Sequence, residues 1–267
     1  MPDVLEPNVL EMADVTFRWP GPSGLRKAPG FGIAVDRFSL APREKLLLVG
    51  PSGSGKSTLL SLIAGIAAPQ AGRISILGTD IARLSAAERD RFRAEHLGVI
   101  FQMFNLLPYG TVVDNVLLAL SFARKRRERA GGQAGERQEA ARLLSRLGLD
   151  DKLVAGRSAA SLSVGQQQRV AAARALIGRP DLVIADEPTS ALDRNRQIAF
   201  LNLLFGELDA AGAALMMVSH DETLSHRFDR VAHLDEIARV LPGQGPTDVT
   251  GGRLPEGVSL ATSRKTP

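Results

Sequence analysis

Nine residues, GPSGSGKST from Gly50 to Thr58, constrain this chain of 267 residues more than any others. A glycine, four residues, then Gly55, Lys56 and Ser57 is the spacing of a phosphate-binding loop. KLLLV before it is apolar enough for a buried strand, and TLLSLIAGI after it has the apolar spacing of a helix. Strand, loop and helix in that order belong to an α/β layer structure. In the loop Gly50, Pro51, Ser52, Gly53, Ser54 and Gly55, the glycines let the backbone turn its N–H groups onto a phosphate, and the helix N-terminus adds the positive end of its dipole. Lys56 brings a point charge to the terminal phosphates. Ser57 offers its hydroxyl to a magnesium ion, with Thr58 closing the run. A glycine-rich turn before any helix is the plainer alternative, and the flanking strand and helix argue against it.

LVIADEP, from Leu182 to Pro188, is the second informative run. Leu182 to Ala185 reads as another buried strand, which leaves Asp186 and Glu187 at its C-terminal end, where open α/β sheets present ligand groups. Asp186 is a candidate to hold magnesium through water. Glu187 is a candidate to orient or deprotonate the water that attacks a γ-phosphate. Taken alone, two carboxylates after a strand could equally be a solvated turn; beside a phosphate loop they form a hydrolytic pair.

With these two runs stands a third, LSVGQQQR from Leu162 to Arg169. It resembles the signature of ATP-binding-cassette ATPases, and the rest of that family's set occurs in the expected order. Gln102 in VIFQMFNLLP is similar to the glutamine that reaches the magnesium and feels a membrane partner. Asp193, ending SALD, is similar to the loop that crosses to another subunit, and His220 in MVSHD to the switch histidine at the γ-phosphate. The resemblance covers about residues 9 to 236. It implies ATP and Mg2+ as cofactors, with Lys56, Gln102, Glu187 and His220 catalytic and Ser57, Gln102 and Asp186 at the metal. It implies Ser163, Gly165 and Gln166 as the surface that closes over the nucleotide.

One departure stands out, because Val164 occupies a place where the family usually has glycine. A β-branched residue takes positive φ only at a cost, so Val164 requires ordinary backbone there. A weakened signature and a slow ATPase is the other reading. Near the N-terminus, VTFRWPG resembles the segment whose aromatic residue stacks on adenine, and its spacing selects Trp19; stacking accepts any π-face. Trp19 could instead plug an edge of the first sheet. His220, after the strand-like AALMMVS, could likewise be a histidine held at a strand end.

Composition agrees with a globular enzyme subunit, since 44% of residues are hydrophobic and no cysteine is present to form disulfides or act as a thiol nucleophile. The start, MPDVLEPNVLEMADV, has neither the basic nor the apolar region of a signal peptide, and no apolar run approaches the ~20 residues that span a bilayer. Any membrane domain is expected on separately encoded permease subunits, with this chain peripheral on the cytoplasmic face of the inner membrane. The formal charge of +4 is too mild to suggest nucleic-acid binding. RKRRER, Arg124 to Arg129, is read as a solvated helix end and linker, with a membrane-surface or nucleic-acid patch as the alternative.

The expected fold is α/β: a P-loop NTPase core with mixed sheet, an N-terminal antiparallel β subdomain and a small helical subdomain. Residues 1–240 form the cassette, with helices over about 103–180, and 241–267, rich in Gly, Pro, Ser and Thr, form a flexible tail. A polar helix is expected from Ser85 to His96. Apolar helical faces are expected at Ala140, Leu143, Leu144 and Leu147, and at Ile198, Leu201, Phe205 and Leu208. The Pro/Gly-rich PGPSGLRKAPG is read as a hairpin loop near the nucleotide.

The chain carries one nucleotide site's worth of motifs, and the family places the phosphate loop of one subunit against the signature of another. A homodimer enclosing two ATP molecules follows from the resemblance. The stretch from Leu84 to Val116 is most like the branch serving lipoprotein-releasing and macrolide or peptide efflux systems. The rival function is a cassette ATPase acting on cell division, ribosomes or nucleic acid.

Overall fold

The computed structural model describes residues 6–21, 30–149, 156–241 and 243. Most of the expected hairpin loop and tail, like Lys152 at the foot of the helical region, lies outside the described residues. Among the described residues, ten strands fall into two five-stranded sheets. The first is antiparallel, in the order β10 (Ala238–Leu241), β2 (Gly32–Leu40), β1 (Leu10–Arg18), β4 (Ala71–Ile76), β5 (Thr79–Asp80). Leu241, assigned to the tail from sequence, pairs with Gly32 as the last residue of β10.

The second sheet is parallel throughout, in the order β6 (Leu97–Ile100), β7 (Leu182–Asp186), β8 (Ala214–Ser219), β3 (Lys45–Val49), β9 (Arg230–His233). Parallel and antiparallel pairing are thus segregated between sheets. The parallel strands read as nearly unbroken apolar runs because both faces are covered. Leu46, Leu48, Ile184 and Met216 face one core with the antiparallel sheet and α1 (Lys56–Ile63), while Leu47, Val49, Val183, Leu215 and Met217 face the other with the helices. Strand period two explains the division.

The expected polar helix is α2 (Ala86–His96), closed at its start by a capping box between Ser85 and Glu88. The helical region contains α3 (Val112–Leu117), α4 (Arg124–Arg129), α5 (Gly132–Arg146) and α6 (Val164–Leu176). Ala140, Leu143, Leu144 and Leu147 are buried as the pattern requires. In α7 (Arg194–Ala211) the buried stripe is Phe200, Leu201, Leu204 and Leu208, whereas Ile198 and Phe205 are half-buried. The stripe is rotated because α7 also buries Glu207, whose carboxylate takes Arg142 and Arg146 from α5 at 3.0 Å each. A final short helix, α8 (Leu234–Ile237), leads into β10.

In the RKRRER run Arg124, Lys125, Glu128 and Arg129 are exposed, as expected of a solvated helix end, and Arg126 is the correction. Arg126 is 2% exposed. Its guanidinium donates five hydrogen bonds to four carbonyls, those of Ala94, Leu97, Ala175 and Ile177. Arg129 adds bonds to Gly178 and Glu95 carbonyls. Carbonyls at the ends of α2 and α6 lack helical partners, and a fixed five-donor fork satisfies several at once. Burial and then Arg129 push the Arg126 guanidinium down to about 10, which leaves it charged at neutral pH. Arg126→Ala is expected to cost about 3–5 kcal/mol, because four buried carbonyls lose their donor. Chemical denaturation checks this, with a midpoint like that of the unmodified chain as the contrary result.

Candidate active site

All five strands of the second sheet run the same way, so their C-terminal ends share one edge. The register fixes the neighbours: Val49 lies beside Ser219, Asp186 beside Val218, and Ile100 beside Ala185. The residues that follow these strands therefore meet. The phosphate loop follows β3, Gln102 follows β6, Glu187 follows β7 and His220 follows β8. Four separated motifs become one site through sheet topology.

The loop has the shape that the glycines anticipate. Gly53 and Gly55 have φ of 76° and 108°, and Gly55 sits immediately before the first residue of α1. A Cβ on Gly55 would come within 2.9 Å of Ile33 and 3.2 Å of the Phe31 ring, whereas one on Gly53 would meet nothing within 4 Å. Gly53 is thus open to close approach by a ligand. Lys56 is 7% exposed, and its ammonium donates to the carbonyls of Gly50 at 2.6 Å and Pro51 at 2.8 Å. These bonds fix the side chain along the inside of the loop. Ser54 donates to Pro51 O at 2.8 Å, and this bond tightens the same turn.

A cavity of about 440 Å³ is lined by Ser52, Gly53, Gly55, Lys56, Ser57, Thr58, Gln102, Asp186, Glu187 and Phe31. Ser57 donates its hydroxyl to Asp186 Oδ2 at 3.3 Å. Asp186 is pushed upward mainly by burial and, less, by Glu187, while the Ser57 hydrogen bond and Lys56 pull it down. A divalent cation held by the Ser57 hydroxyl and the Asp186 carboxylate would compensate the charge that burial disfavours. Among the described residues no three His, Asp or Glu side chains converge as a metal cage. The donor set matches instead the habit of Mg2+, which takes one or two protein oxygens and completes its shell with phosphates and water.

Glu187 leaves β7 with φ 44°, a left-handed conformation that costs a non-glycine residue on the order of 1 kcal/mol or more and commonly marks a working site. Its carboxylate meets His220 Nδ1 at 2.6 Å, and the pair is asymmetric: the Glu187 side chain is 15% exposed and that of His220 65%. The imidazole, at the open side, orients the acid within.

Trp19 does not wall the cavity. Its indole N–H donates to Thr58 Oγ1 at 3.1 Å and its ring meets Phe17 edge-on at 4.9 Å, which secures it beside the start of α1. The aromatic ring in the cavity wall is Phe31, which sequence reasoning missed. Phe31 O accepts from Trp19 N at 2.9 Å, so the two aromatic residues are cross-strand neighbours at the end of the antiparallel sheet. Spacing within VTFRWPG carries no trace of that partner.

Ser163, Gly165 and Gln166 line a different cavity, of about 650 Å³, with Arg157, Arg169 and Arg196. Ser163 is the N-cap of α6, in a capping box with Gln166, and Val164 is the first helical residue at 50% exposure. Helical φ is ordinary backbone, so Val164 is accommodated without strain, as its branching requires. Asp193 accepts from Arg196 N at 3.0 Å and caps α7.

The comparisons agree with this geometry. Residues 35–190 match the family model described as ABC transporter. The chain is 42% identical over 212 residues to the lipoprotein-releasing system ATP-binding protein LolD 2 of Rhodospirillum rubrum, covering 79% of this chain and 87% of that one. It is 41% identical over 191 residues to the uncharacterized ABC transporter ATP-binding protein YbbA of Escherichia coli, covering 72% and 80%. Among solved structures, the ATP-binding cassette MJ0796, dimeric in a post-hydrolysis state with ADP and Pi, superposes with a TM-score of 0.71 at 31% identity over 84% of this chain and 93% of that one. Sheet topology, the phosphate loop and its acidic partners, and these likenesses together show that the chain belongs to the ABC transporter family as an ATP-binding cassette.

Proposed function

We propose that the chain binds and hydrolyses ATP in a site completed by a second copy of itself, and that this cycle drives a separately encoded membrane permease. One observation carries the reading. The phosphate loop, Gln102, Asp186 and Glu187 wall one cavity, while Ser163, Gly165 and Gln166 wall another. Each chain thus presents two half-sites on different surfaces, which a two-fold pairing would join.

In this account the backbone of Gly50 to Gly55 and the start of α1 hold the phosphates, and Lys56 turns its charge to the terminal ones. Phe31, in the cavity wall with Trp19 behind it, offers a ring suited to the flat base. Glu187, backed by His220, takes a proton from the attacking water. Ser57, Asp186 and Gln102 would hold Mg2+, which when bound would supply positive charge to offset that of the phosphates. From the other copy, Ser163 and the N-terminal end of α6 meet the γ-phosphate, and Asp193 lies at the crossing. ATP bridges the copies by its negative charge, and hydrolysis removes the bridge.

The partner surface is read from a groove of about 760 Å³ next to the Gln102 loop, walled by Ile66, Val99, Phe101, Leu118 and Phe122. Phe122 is 80% exposed, and Met103 and Tyr109, one and seven residues after Gln102 and outside the groove lining, are 81% and 83% exposed. An apolar patch of this kind is suited to a protein partner. A permease of the lipoprotein-releasing kind accords with the name of one relative, and in this reading the cassette sits peripherally on the cytoplasmic face of the inner membrane. No helix among the described residues is long and apolar enough to cross a membrane.

ATP hydrolysis by the purified chain, measured over a range of protein concentrations, tests the reading. The rate per chain is expected to rise with concentration and to vanish when EDTA removes divalent cations. A metal-independent rate would contradict it.

A further inference from the structure

Between the site and the signature lies an arginine that neither motif includes. Arg174 is in the last turn of α6 and is half-buried. Its guanidinium donates to Asn105 O at 2.7 Å and to Phe104 O. Those two carbonyls belong to consecutive non-glycine residues with φ of 57° and 48°, two and three places beyond Gln102. Two successive left-handed residues are a strained turn that persists only when its surroundings hold it. Phe104 is anchored by burial in the helical core, and Arg174 holds the carbonyls on the other side. At the far end of the same helix, about 15 Å away, Ser163 and Val164 form the signature.

We infer that Arg174 is a positioning residue that ties the Gln102 loop to the signature helix, so that Gln102 in one nucleotide site and the signature surface facing the opposite site move as one body. A helix is stiff along its axis, so a shift of the signature is carried to its last turn. Bonded to both carbonyls by a planar fork, the loop has to follow. Arg174 and Phe101 also line the groove assigned to the permease, so a partner seated there would press on the same joint. Burial lowers the Arg174 pKa, in keeping with a guanidinium used for its geometry inside the protein.

This inference rests on the proposed role of Gln102, and a kinetic double-mutant cycle separates the two. Arg174→Ala is expected to lower kcat roughly ten- to hundredfold, as loss of positioning does, while KM for ATP changes less than about threefold. Arg174→Lys, with a point charge that reaches one carbonyl, should fall between, and it carries the cycle if the alanine variant does not fold. In a Gln102→Ala background, either change at Arg174 should have no further effect on kcat, because its action passes through Gln102. Multiplying effects would overturn the inference and leave the role of Gln102 standing. Wild-type kcat in Gln102→Ala itself would overturn that role and the inference with it.

Discussion

Glu187→Gln is expected to stop ATP turnover while leaving ATP bound. The amide keeps the shape of the carboxylate at the exit of β7 and can still meet His220, which contacts Glu187 at 2.6 Å. It cannot accept the proton of the attacking water. Loss of a general base costs on the order of 10²–10⁴ in kcat. In the proposed site bound ATP bridges the two copies, so the variant should accumulate as a dimer that the unmodified chain forms only transiently. Single-turnover kinetics give the first quantity and size-exclusion chromatography in ATP the second. Turnover at the unmodified rate would show that the base is another group.

Lys56→Ala should act one step earlier, on binding itself. Among the described side chains lining the cavity, the ammonium carries the only positive charge. Its loss removes charge-assisted hydrogen bonds to the terminal phosphates, worth about 1.5–3 kcal/mol, or roughly ten- to hundredfold in Kd. The same substitution frees the Gly50 and Pro51 carbonyls that Lys56 satisfies, so the loop loosens even without nucleotide. Calorimetric titration with ATP measures the binding loss, and thermal unfolding of the free chain measures the second effect. An unchanged Kd would remove Lys56 from the phosphate site.

Much of the site could be read from sequence because its chemistry is local. GPSGSGKST and LVIADEP each carry their own strand, turn and donor groups, and the sheet has only to bring their ends together. Val164 was legible for the same reason: branching at Cβ excludes positive φ, and the first turn of a helix supplies what remains. The apolar face of α5 was legible because it packs on a single core. The face of α7 was legible in part: Leu201 and Leu208 are buried and Phe205 packs on the core, whereas Phe200, Leu204 and Glu207 were not anticipated, Glu207 being held by Arg142 and Arg146 from another helix. Arg126 was misread for a related cause. In RKRRER it looks like its neighbours, and only the carbonyls of Leu97, Ala175 and Ile177, distant in the chain, distinguish it. Phe31 and Arg174 likewise act on partners far along the chain, Phe31 beside the phosphate loop and Arg174 on the turn after Gln102. Short-range pattern finds the groups that the fold gathers in one cavity; groups that hold them in place are visible only once the chain is folded.

The most direct test of the two-copy site is to mix two inactive variants. Lys56→Ala disables the phosphate half. Gly165→Asp disables the signature half, because a carboxylate there repels a γ-phosphate, and its Cβ is tolerated with Leu192 Cδ2 nearest at 3.7 Å. Each variant alone is expected to be inert. In a mixed dimer, one site pairs both defects and the other pairs two intact halves, so an equimolar mixture should recover about a quarter of the unmodified rate. Two folded, dimer-forming variants that remain inert when mixed would contradict a site shared between copies and place the whole reaction within a single chain.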